Sequence, residues 1–240
     1  MNKKKPTNIA ASILVAALDV VSAREMRMIS TVLFDLDGLL ADTEILHCRA
    51  YQAVLSGHGL SLSEEKYREH WMRQGLGVAD FLRMHGASVD LGELRRQKAI
   101  QYAALVRSSC QAMNGALELL DRLHGQKKLG LASSSYSDAV TAVLAKLVIA
   151  DRFACIVTGS DVKRVKPFPD IFLEAARRLG VQPQQCVVIE DAEKGVLAAR
   201  AAGMKCIAVP SHYTAGNDFS AATVVVDSLE QVTVEMIDRL

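Results

Sequence analysis

The stretch TVLFDLDGLLADTE, residues 31–44, places two aspartates directly after an apolar run. Such a run is typical of a strand buried on both faces, and an ionised carboxylate at its end is costly to desolvate unless it is paired. Asp35, Asp37 and the following Gly38 could form an ordinary acidic turn, or they could belong to a ligand-binding site. The other strand ends decide between these alternatives.

Beyond Gly115 the sequence alternates between segments with helical spacing and short apolar segments that are typical of strands. The predicted strands are LGLASS, CIVTG, CVVIED and KCIAVP. Pro169 suits the first turn of one intervening helix, and Gly180 suits its end. Strands that alternate with helices form parallel sheets covered on both faces, so we predict an α/β fold with a Rossmann-like parallel sheet.

Residues 44–111 show a different pattern. Four segments with helical spacing are separated by glycine or serine, and none of them is typical of a strand. We therefore predict a small helical bundle inserted after the first strand. The predicted division is a core of residues 29–43 plus 112–240, a helical cap of residues 44–111, and an N-terminal extension of residues 1–28.

The ends of the predicted strands carry the residues that suggest a site. In an open parallel sheet, ligands bind beyond the carboxyl ends of the strands, where these side chains would converge. Taken singly, the lysine is compatible with a solvated surface charge, the serines with a helix cap and the last acidic pair with a helix start. At four strand ends together, they favour a shared site. The candidates are Asp35 and Asp37, Ser133 and Ser134, Lys166, and Glu190 and Asp191.

The chemistry of these groups points to a phosphoryl group and a metal ion. Carboxylates gathered at one edge repel one another unless a cation lies between them, and an all-oxygen ligand set suits Mg²⁺. A lysine with nearby hydroxyls suits a phosphate. Asp35 could then attack phosphorus and form an aspartyl-phosphate. Asp37 could protonate the leaving oxygen, which requires its pKa to lie above that of Asp35.

The motifs DLDG with the following DT, LASSS, KPFPD and IEDAEKG resemble the four motifs of the haloacid dehalogenase superfamily. The resemblance covers nearly all of residues 31–228, and the helical insertion resembles the small α-helical cap of that superfamily. Within the superfamily, the sequence is similar to the beta-phosphoglucomutase-like group of sugar-phosphate phosphatases and mutases.

The resemblance implies a role for each residue at the strand ends. Asp35 would be the nucleophile and Asp37 the general acid and base. Mg²⁺ would be bound by the Asp35 carboxylate, the Asp37 backbone carbonyl and Asp191, with Glu190 among these ligands or directly behind them. The phosphate-binding candidates are Ser133, Ser134 and Lys166.

Substrate choice is expected to lie in the cap. His47 and Lys98 fall where beta-phosphoglucomutases place a histidine and a lysine near the substrate, although either could instead face solvent. The arginine that mutases carry shortly after the cap-loop glycine is not matched: if Gly75 is that glycine, Val78 takes its place. Arg73 lies nearby and is the remaining candidate. A mutase must hold both phosphates of a bisphosphate intermediate, so the loss favours a phosphatase, with a hexose-phosphate mutase as the alternative.

Two further features bear on this choice. The tail GMKCIAVPSHYTAGNDFSAA is similar to xylulose-bisphosphate phosphatases of the same group, which favours hydrolysis. A non-catalytic binding protein on the same scaffold would be expected to lack the acidic pair, and both aspartates are present. We therefore expect a small phosphorylated metabolite as the partner.

The bulk composition gives no indication of a nucleic-acid or membrane partner, and the cysteines bear on the compartment. The chain has 240 residues with 28 basic and 27 acidic side chains, a net charge of +1, which does not favour nucleic acid or a membrane surface. The five cysteines are scattered, without the close pairing of a zinc site, and fit a reducing compartment. We expect a cytoplasmic monomer.

The N-terminus supports an alternative location. MNKKK followed by an apolar segment resembles a secretory signal with a cleavage site after Ala23, although Asp19 interrupts the apolar segment. A third interpretation is that translation begins at Met26 or Met28, just ahead of the first strand.

Overall fold

The computed structural model describes residues 28–240, so the interpretations of the N-terminal extension lie outside the described residues. In this range the chain forms one six-stranded parallel sheet with the order β3-β2-β1-β4-β5-β6, which confirms the predicted α/β class. The central strand β1 is paired on both sides, with Phe34 opposite Leu131 and Ile189. The strands are β1 Thr31–Phe34, β2 Lys128–Ala132, β3 Cys155–Val157, β4 Cys186–Glu190, β5 Lys205–Ala208 and β6 Val224–Val225.

Helices connect these strands and cover the sheet. The α-helices are α1 Glu44–Ser56, α2 Glu64–Tyr67, α3 Val78–Met84, α4 Leu91–Ser109, α5 Ala116–Leu123, α6 Ser137–Leu147, α7 Asp170–Leu179, α8 Glu193–Ala201 and α9 Val234–Asp238. A π-helical turn follows α2, and there are short 3₁₀ turns at Ala150–Arg152, Pro183–Gln185 and Leu229–Gln231.

The sheet is buried on both faces because the interior positions of its strands are apolar. On one face, Val32 and Phe34 pack in a cluster with residues of α5 and α6. On the other face, Leu33 and Val188 pack in a cluster with residues of α7 and α8. Successive side chains of a strand point to opposite faces, so each four- or five-residue strand supplies both clusters. The two layers of helices hold the strand ends in register.

Helix ends follow the predicted signals with a one-residue difference. Gly180 ends α7 in the left-handed conformation, with φ +68°, as glycine favours. Pro169 precedes the first helical residue rather than occupying the first turn. At the end of α6, Val148 takes the same left-handed conformation, with φ +56°, which a β-branched residue rarely adopts.

The inserted segment consists of helices joined by short loops. Residues 44–109, all of them described, contain no strand, as the sequence predicts. Helices α1 and α4 pack together, and a separate apolar cluster that includes Tyr67, Phe81 and Leu94 joins the helices. One of the four segments with helical spacing, SEEKYREHWMRQG (residues 63–75), is split into α2 and the π-helical turn Arg68–Arg73. The division into core and cap stays a prediction.

The two connections that join the inserted helices to the rest of the chain lie side by side, next to the end of β1. Ala41 and Ala112 form an isolated antiparallel bridge. The Asp42 amide donates to the Gln111 carbonyl at 3.0 Å. This arrangement places α1 and α4 directly over the residues that follow β1. Within residues 28–240, no helix is both long and apolar enough to cross a membrane.

Candidate active site

Three carboxylates from two adjacent strands meet at the carboxyl edge of the sheet. Asp35 follows β1 directly, Glu190 is the last residue of β4, and Asp191 comes next. One oxygen from each of these side chains lies within 4.8 Å of the other two. All three residues are buried, with 7%, 1% and 2% of their surface exposed, respectively. The predicted convergence of these strand ends is therefore present in the structure.

Lys166 lies inside this cluster, although it comes from the loop after β3. Its Nζ donates to Asp35 Oδ1 at 2.5 Å, to Glu190 Oε1 at 2.6 Å and to the Ala132 carbonyl at 2.7 Å. Burial alone would lower the pKa of Lys166, but Asp35 and Glu190 outweigh it and raise the pKa above its ordinary value. The lysine is therefore a buried cation and not a solvated surface charge.

The cluster carries more negative charge than Lys166 can balance. Burial raises the pKa of Asp35 and Glu190 raises it further, while Lys166 only partly offsets them. Burial and the two neighbouring carboxylates also raise the pKa of Asp191 well above its ordinary value. Three carboxylates and one ammonium leave an excess of negative charge in a buried, all-oxygen site. These residues fit a hard divalent cation such as Mg²⁺.

Two glycines allow the carboxylates to approach. Gly38 has φ +80°, and a Cβ atom there would lie 2.5 Å from Asp191 Oδ2. At Gly195, in the first turn of α8, a Cβ atom would overlap the Glu190 carboxylate. Both positions therefore need glycine for the acidic cluster to keep its geometry.

Asp37 lies beside the cluster and accepts hydrogen bonds from both sides of the site. Thr43 Oγ1 donates to its Oδ1 at 2.7 Å, and Ser135 Oγ donates to its Oδ2 at 2.7 Å. His47 Nε2 lies 3.4 Å from Oδ1. Burial alone would raise the pKa of Asp37, but these partners outweigh it and hold the pKa below its ordinary value.

In this arrangement the pKa of Asp35 is raised and that of Asp37 lowered, which is the reverse of the order that the proton transfer requires. Asp35 lies among other carboxylates, whereas Asp37 faces hydroxyl and imidazole groups. This order could not be predicted from the sequence, because the groups that lower the pKa of Asp37 approach it only in the folded chain.

The serines after β2 divide between two roles. Ser133 is fully buried and donates to Asp37 Oδ2 at 3.2 Å. Ser134 Oγ is buried, lines the cavity described below and has no hydrogen-bond partner among the described residues, so its hydroxyl is available to a ligand. Ser135, which was not among the site candidates, makes the short contact with Asp37. Its place as the third serine of LASSS, next to two candidates, could have identified it.

Of the four predicted cap residues, two contact the groups around Asp37 and two only line the cavity. His47 Nδ1 lies 2.6 Å from Lys98 Nζ, and the His47 ring stacks on Tyr102 at 4.1 Å, so His47 and Lys98 join the site. Burial lowers the pKa of Lys98 to about 8. Arg73 and Gly75 line the cavity, but the Arg73 guanidinium lies against Gly216 and contacts Glu69 at 3.4 Å.

A cavity of about 780 Å³ lies between the helices of the insertion and the sheet edge. Its floor holds the acidic cluster, and its walls include several residues that sequence reasoning missed. These residues lie on α1, α4 and the π-helical turn. Their spacing in the sequence did not mark them as cavity residues, because aromatic side chains at helical spacing are equally typical of a packed core. The missed wall residues include Glu44, Tyr51, Trp71, Met72 and Arg95.

Comparisons with known proteins agree with this geometry. The sequence model of the family described as haloacid dehalogenase-like hydrolase matches residues 32–209. The chain is 34% identical over 179 residues to the fructose-1-phosphate phosphatase YqaB of Escherichia coli (strain K12), a match covering 74% of this chain and 95% of that protein. It is 31% identical over 215 residues to the beta-phosphoglucomutase of Bacillus subtilis (strain 168), covering 86% of this chain and 92% of that protein.

A comparison with solved structures also finds a similar fold. CbbY from Rhodobacter sphaeroides, a mutant in complex with xylulose-(1,5)bisphosphate, has a TM-score of 0.81 and 29% identity, and the match covers 88% of this chain and 100% of that chain. The family match spans both β1 and β5 and therefore includes every strand end of the site. The resemblance found in the motifs is confirmed: the chain belongs to the haloacid dehalogenase-like hydrolases.

Proposed function

We propose that this enzyme is a Mg²⁺-dependent phosphatase that hydrolyses a small phosphorylated sugar or related metabolite through an aspartyl-phosphate on Asp35. One observation carries the proposal. The carboxylates of Asp35, Glu190 and Asp191 share one buried site, and Lys166 bonds two of them. A nucleophile, a cation site and a phosphate-binding ammonium are thereby adjacent. The fructose-1-phosphate phosphatase among the relatives supports a sugar phosphate as substrate.

The proposed first step transfers the phosphoryl group to Asp35. When bound to the carboxylates of Asp35 and Asp191 and to the Asp37 carbonyl, with Glu190 among these ligands or directly behind them, Mg²⁺ would neutralise charge on the phosphoryl oxygens. An Asp35 oxygen bonds to phosphorus while the bond from phosphorus to the leaving oxygen breaks. Lys166 and the Ser134 hydroxyl bind phosphoryl oxygens, and the buried Ser133 supports them through Asp37.

The proposed second step returns the enzyme to its starting state. Water attacks the phosphorus of the aspartyl-phosphate, inorganic phosphate leaves, and the Asp35 carboxylate is restored. Asp37 gives a proton to the leaving oxygen in the first step and takes one from the water in the second. The hydrogen bonds from Thr43 and His47 stabilise ionised Asp37, which suits the second step. A cap movement that takes His47 away from Asp37 would raise the pKa of Asp37, which suits the first step.

The alternative activity is that of a hexose-phosphate mutase. The His47–Lys98 contact and the beta-phosphoglucomutase among the relatives support it. Against it, Val78 stands where the mutase arginine is expected, and Arg73 is directed to Glu69 and Gly216. Hydrolysis needs no second phosphate site and is the proposal that we favour.

The experiment is a screen of phosphorylated metabolites with and without Mg²⁺, using the purified full chain. We expect inorganic phosphate to be released from a sugar phosphate only with Mg²⁺, and Asp35→Asn to abolish the release. Activity that survives Asp35→Asn unchanged would contradict the proposed nucleophile. Beta-glucose 1-phosphate with a bisphosphate primer tests the alternative, since glucose 6-phosphate formed faster than inorganic phosphate would favour the mutase.

We also propose that the protein acts as a monomer in the cytoplasm. All five cysteines lie in the described residues, are buried and are free thiols, which fits a reducing compartment. Light scattering of the purified protein and fractionation of cells test the two statements. A stable dimer or an exported protein would contradict them.

A further inference from the structure

A segment outside the four motifs, residues 211–217 after β5, touches the acidic cluster. Ser211 Oγ donates to Asp191 Oδ2 at 2.9 Å, and Thr214 Oγ1 lies 3.5 Å from the same oxygen. The two hydroxyls lie 3.1 Å apart, and the Ser211 amide donates to Thr214 Oγ1 at 2.9 Å. Thr214 is only 2% exposed. Asp191 therefore has one oxygen fixed by this segment, while the hydrogen bonds described for its side chain leave Oδ1 free.

The same segment contacts the helical insertion on its other side. The Tyr213 hydroxyl donates to Glu64 Oε1 at 3.1 Å, and Arg68 Nη1 lies 3.3 Å from His212 Nε2. The Arg73 guanidinium packs so closely on Gly216 that a Cβ atom there would lie 2.7 Å from Nη2. These contacts involve α2 and the π-helical turn. The turn also carries wall residues of the cavity.

The far end of the segment is attached to the core. Asn217 Oδ1 accepts a hydrogen bond from the Glu193 amide at 3.2 Å, at the start of α8. The segment is therefore held at one end by the helix that follows Asp191 and in the middle by the insertion. A movement of the insertion away from the core would remove two of its side-chain contacts, those of Tyr213 and His212.

We propose that the 211–217 segment couples the cap to the metal site: Ser211 and Thr214 orient Asp191 for Mg²⁺, and Tyr213 and His212 hold the segment in place against the cap. Ser211 and Tyr213 are positioning residues, since they act through Asp191 and through the segment. By reciprocity, a contact that favours Mg²⁺ binding when the cap is closed makes bound Mg²⁺ favour closure. The inference rests on the proposed Mg²⁺ site.

The test is calorimetric titration of Mg²⁺ into the full chain without substrate. Removing a group that orients a metal ligand typically weakens metal binding about 10- to 100-fold, so we expect Ser211→Ala to raise the Kd for Mg²⁺ about tenfold. We expect Tyr213→Phe to raise it roughly fivefold, although this hydroxyl touches no acidic residue of the site. Ser108→Ala, which removes an exposed hydroxyl on α4, is the matched control and is expected to leave the Kd unchanged.

A conservative variant separates coupling from simple loss of structure. Glu64→Gln keeps an oxygen acceptor for Tyr213, so it should retain the parent Kd, whereas Glu64→Ala should match Tyr213→Phe. A Kd within twofold of the parent for Tyr213→Phe would overturn the coupling, whatever Ser211→Ala does. If the parent does not bind Mg²⁺, or if Asp191→Asn binds it as tightly as the parent, the proposed metal site and with it the proposed function fail as well. The failure of the coupling alone is thereby distinguished from the failure of the proposed function.

Discussion

Gly195 lies against the Glu190 carboxylate, which leaves no room for a side chain. We predict that Gly195→Ala displaces Glu190 and, through it, Lys166. Misplacement by about 1 Å can cost roughly 100-fold in rate, and we expect a loss of that size in phosphatase activity. Gly57→Ala is the control, because Gly57 has an ordinary φ of −62° and its Cβ would make only a 3.4 Å contact. Near-parental activity of Gly195→Ala would show that Glu190 has no role in positioning Lys166.

For single residues, the sequence predicts which side chains lie close together but not their pKa values. Asp35, Lys166 and Asp191 were found because each follows a strand, and parallel strands bring their ends together. The low pKa of Asp37 was not predictable, since it depends on hydroxyls of Thr43 and Ser135 that approach it only in the folded chain.

Among the helices, α6 ends in a strained residue. Val148 has φ +56° and is 80% exposed, so its side chain gains little from burial. A non-glycine residue in the left-handed region costs about 1–3 kcal/mol, and we predict that Val148→Gly raises the free energy of unfolding by about 1 kcal/mol. Val225→Gly, at another exposed valine, should instead lower it. Thermal denaturation measures both, and a lower melting temperature for Val148→Gly would contradict the strain.

The loop after β3 is fixed to α7 by an ion pair. Arg178 Nη2 donates to Asp161 Oδ1 at 2.8 Å. The hydrogen bond from Arg178 and those from Thr158 lower the pKa of Asp161 to about 2 from 3.8. A carboxyl with a lower pKa in the folded state stabilises it above pH 3.8, and this contribution is lost as the pH falls towards 2.

We therefore predict that Asp161→Asn lowers the free energy of unfolding at pH 7 by about 1 kcal/mol, allowing for its partial exposure. The difference from the parent should shrink as the pH falls from 4 towards 2. Urea denaturation at a series of pH values measures it. A difference that stays constant or grows in acid would show that the Asp161 carboxylate is not the stabilising group.

For the whole molecule, we predict that the cap closes over the cavity by a hinge movement at the two connections near Thr43 and Gln111. Since a closing cap excludes water from the cavity, we expect a phosphate analogue such as vanadate with Mg²⁺ to reduce the radius of gyration. Small-angle X-ray scattering of the full chain, with and without the analogue, measures this. An identical radius in both conditions would count against cap closure.

The arrangement of the whole chain was predictable where it follows from the alternation of strands and helices. It was not predictable where it depends on side-chain contacts between residues that are far apart in the sequence. The insertion of helices after β1 was visible as the absence of strand-like segments. The orientation of Arg73 was not, because it depends on Gly216, which lies more than a hundred residues away in the chain. The role of the 211–217 segment was hidden for the same reason.

The central claim is that Asp35 is transiently phosphorylated. The most direct measurement is acid quenching of the enzyme during turnover with Mg²⁺, followed by borohydride reduction and mass spectrometry of the peptides, because borohydride converts an aspartyl-phosphate to homoserine. We predict homoserine at position 35, only when both substrate and Mg²⁺ are present. An enzyme that turns over substrate while Asp35 stays unmodified, or in which another residue is modified instead, would contradict the account.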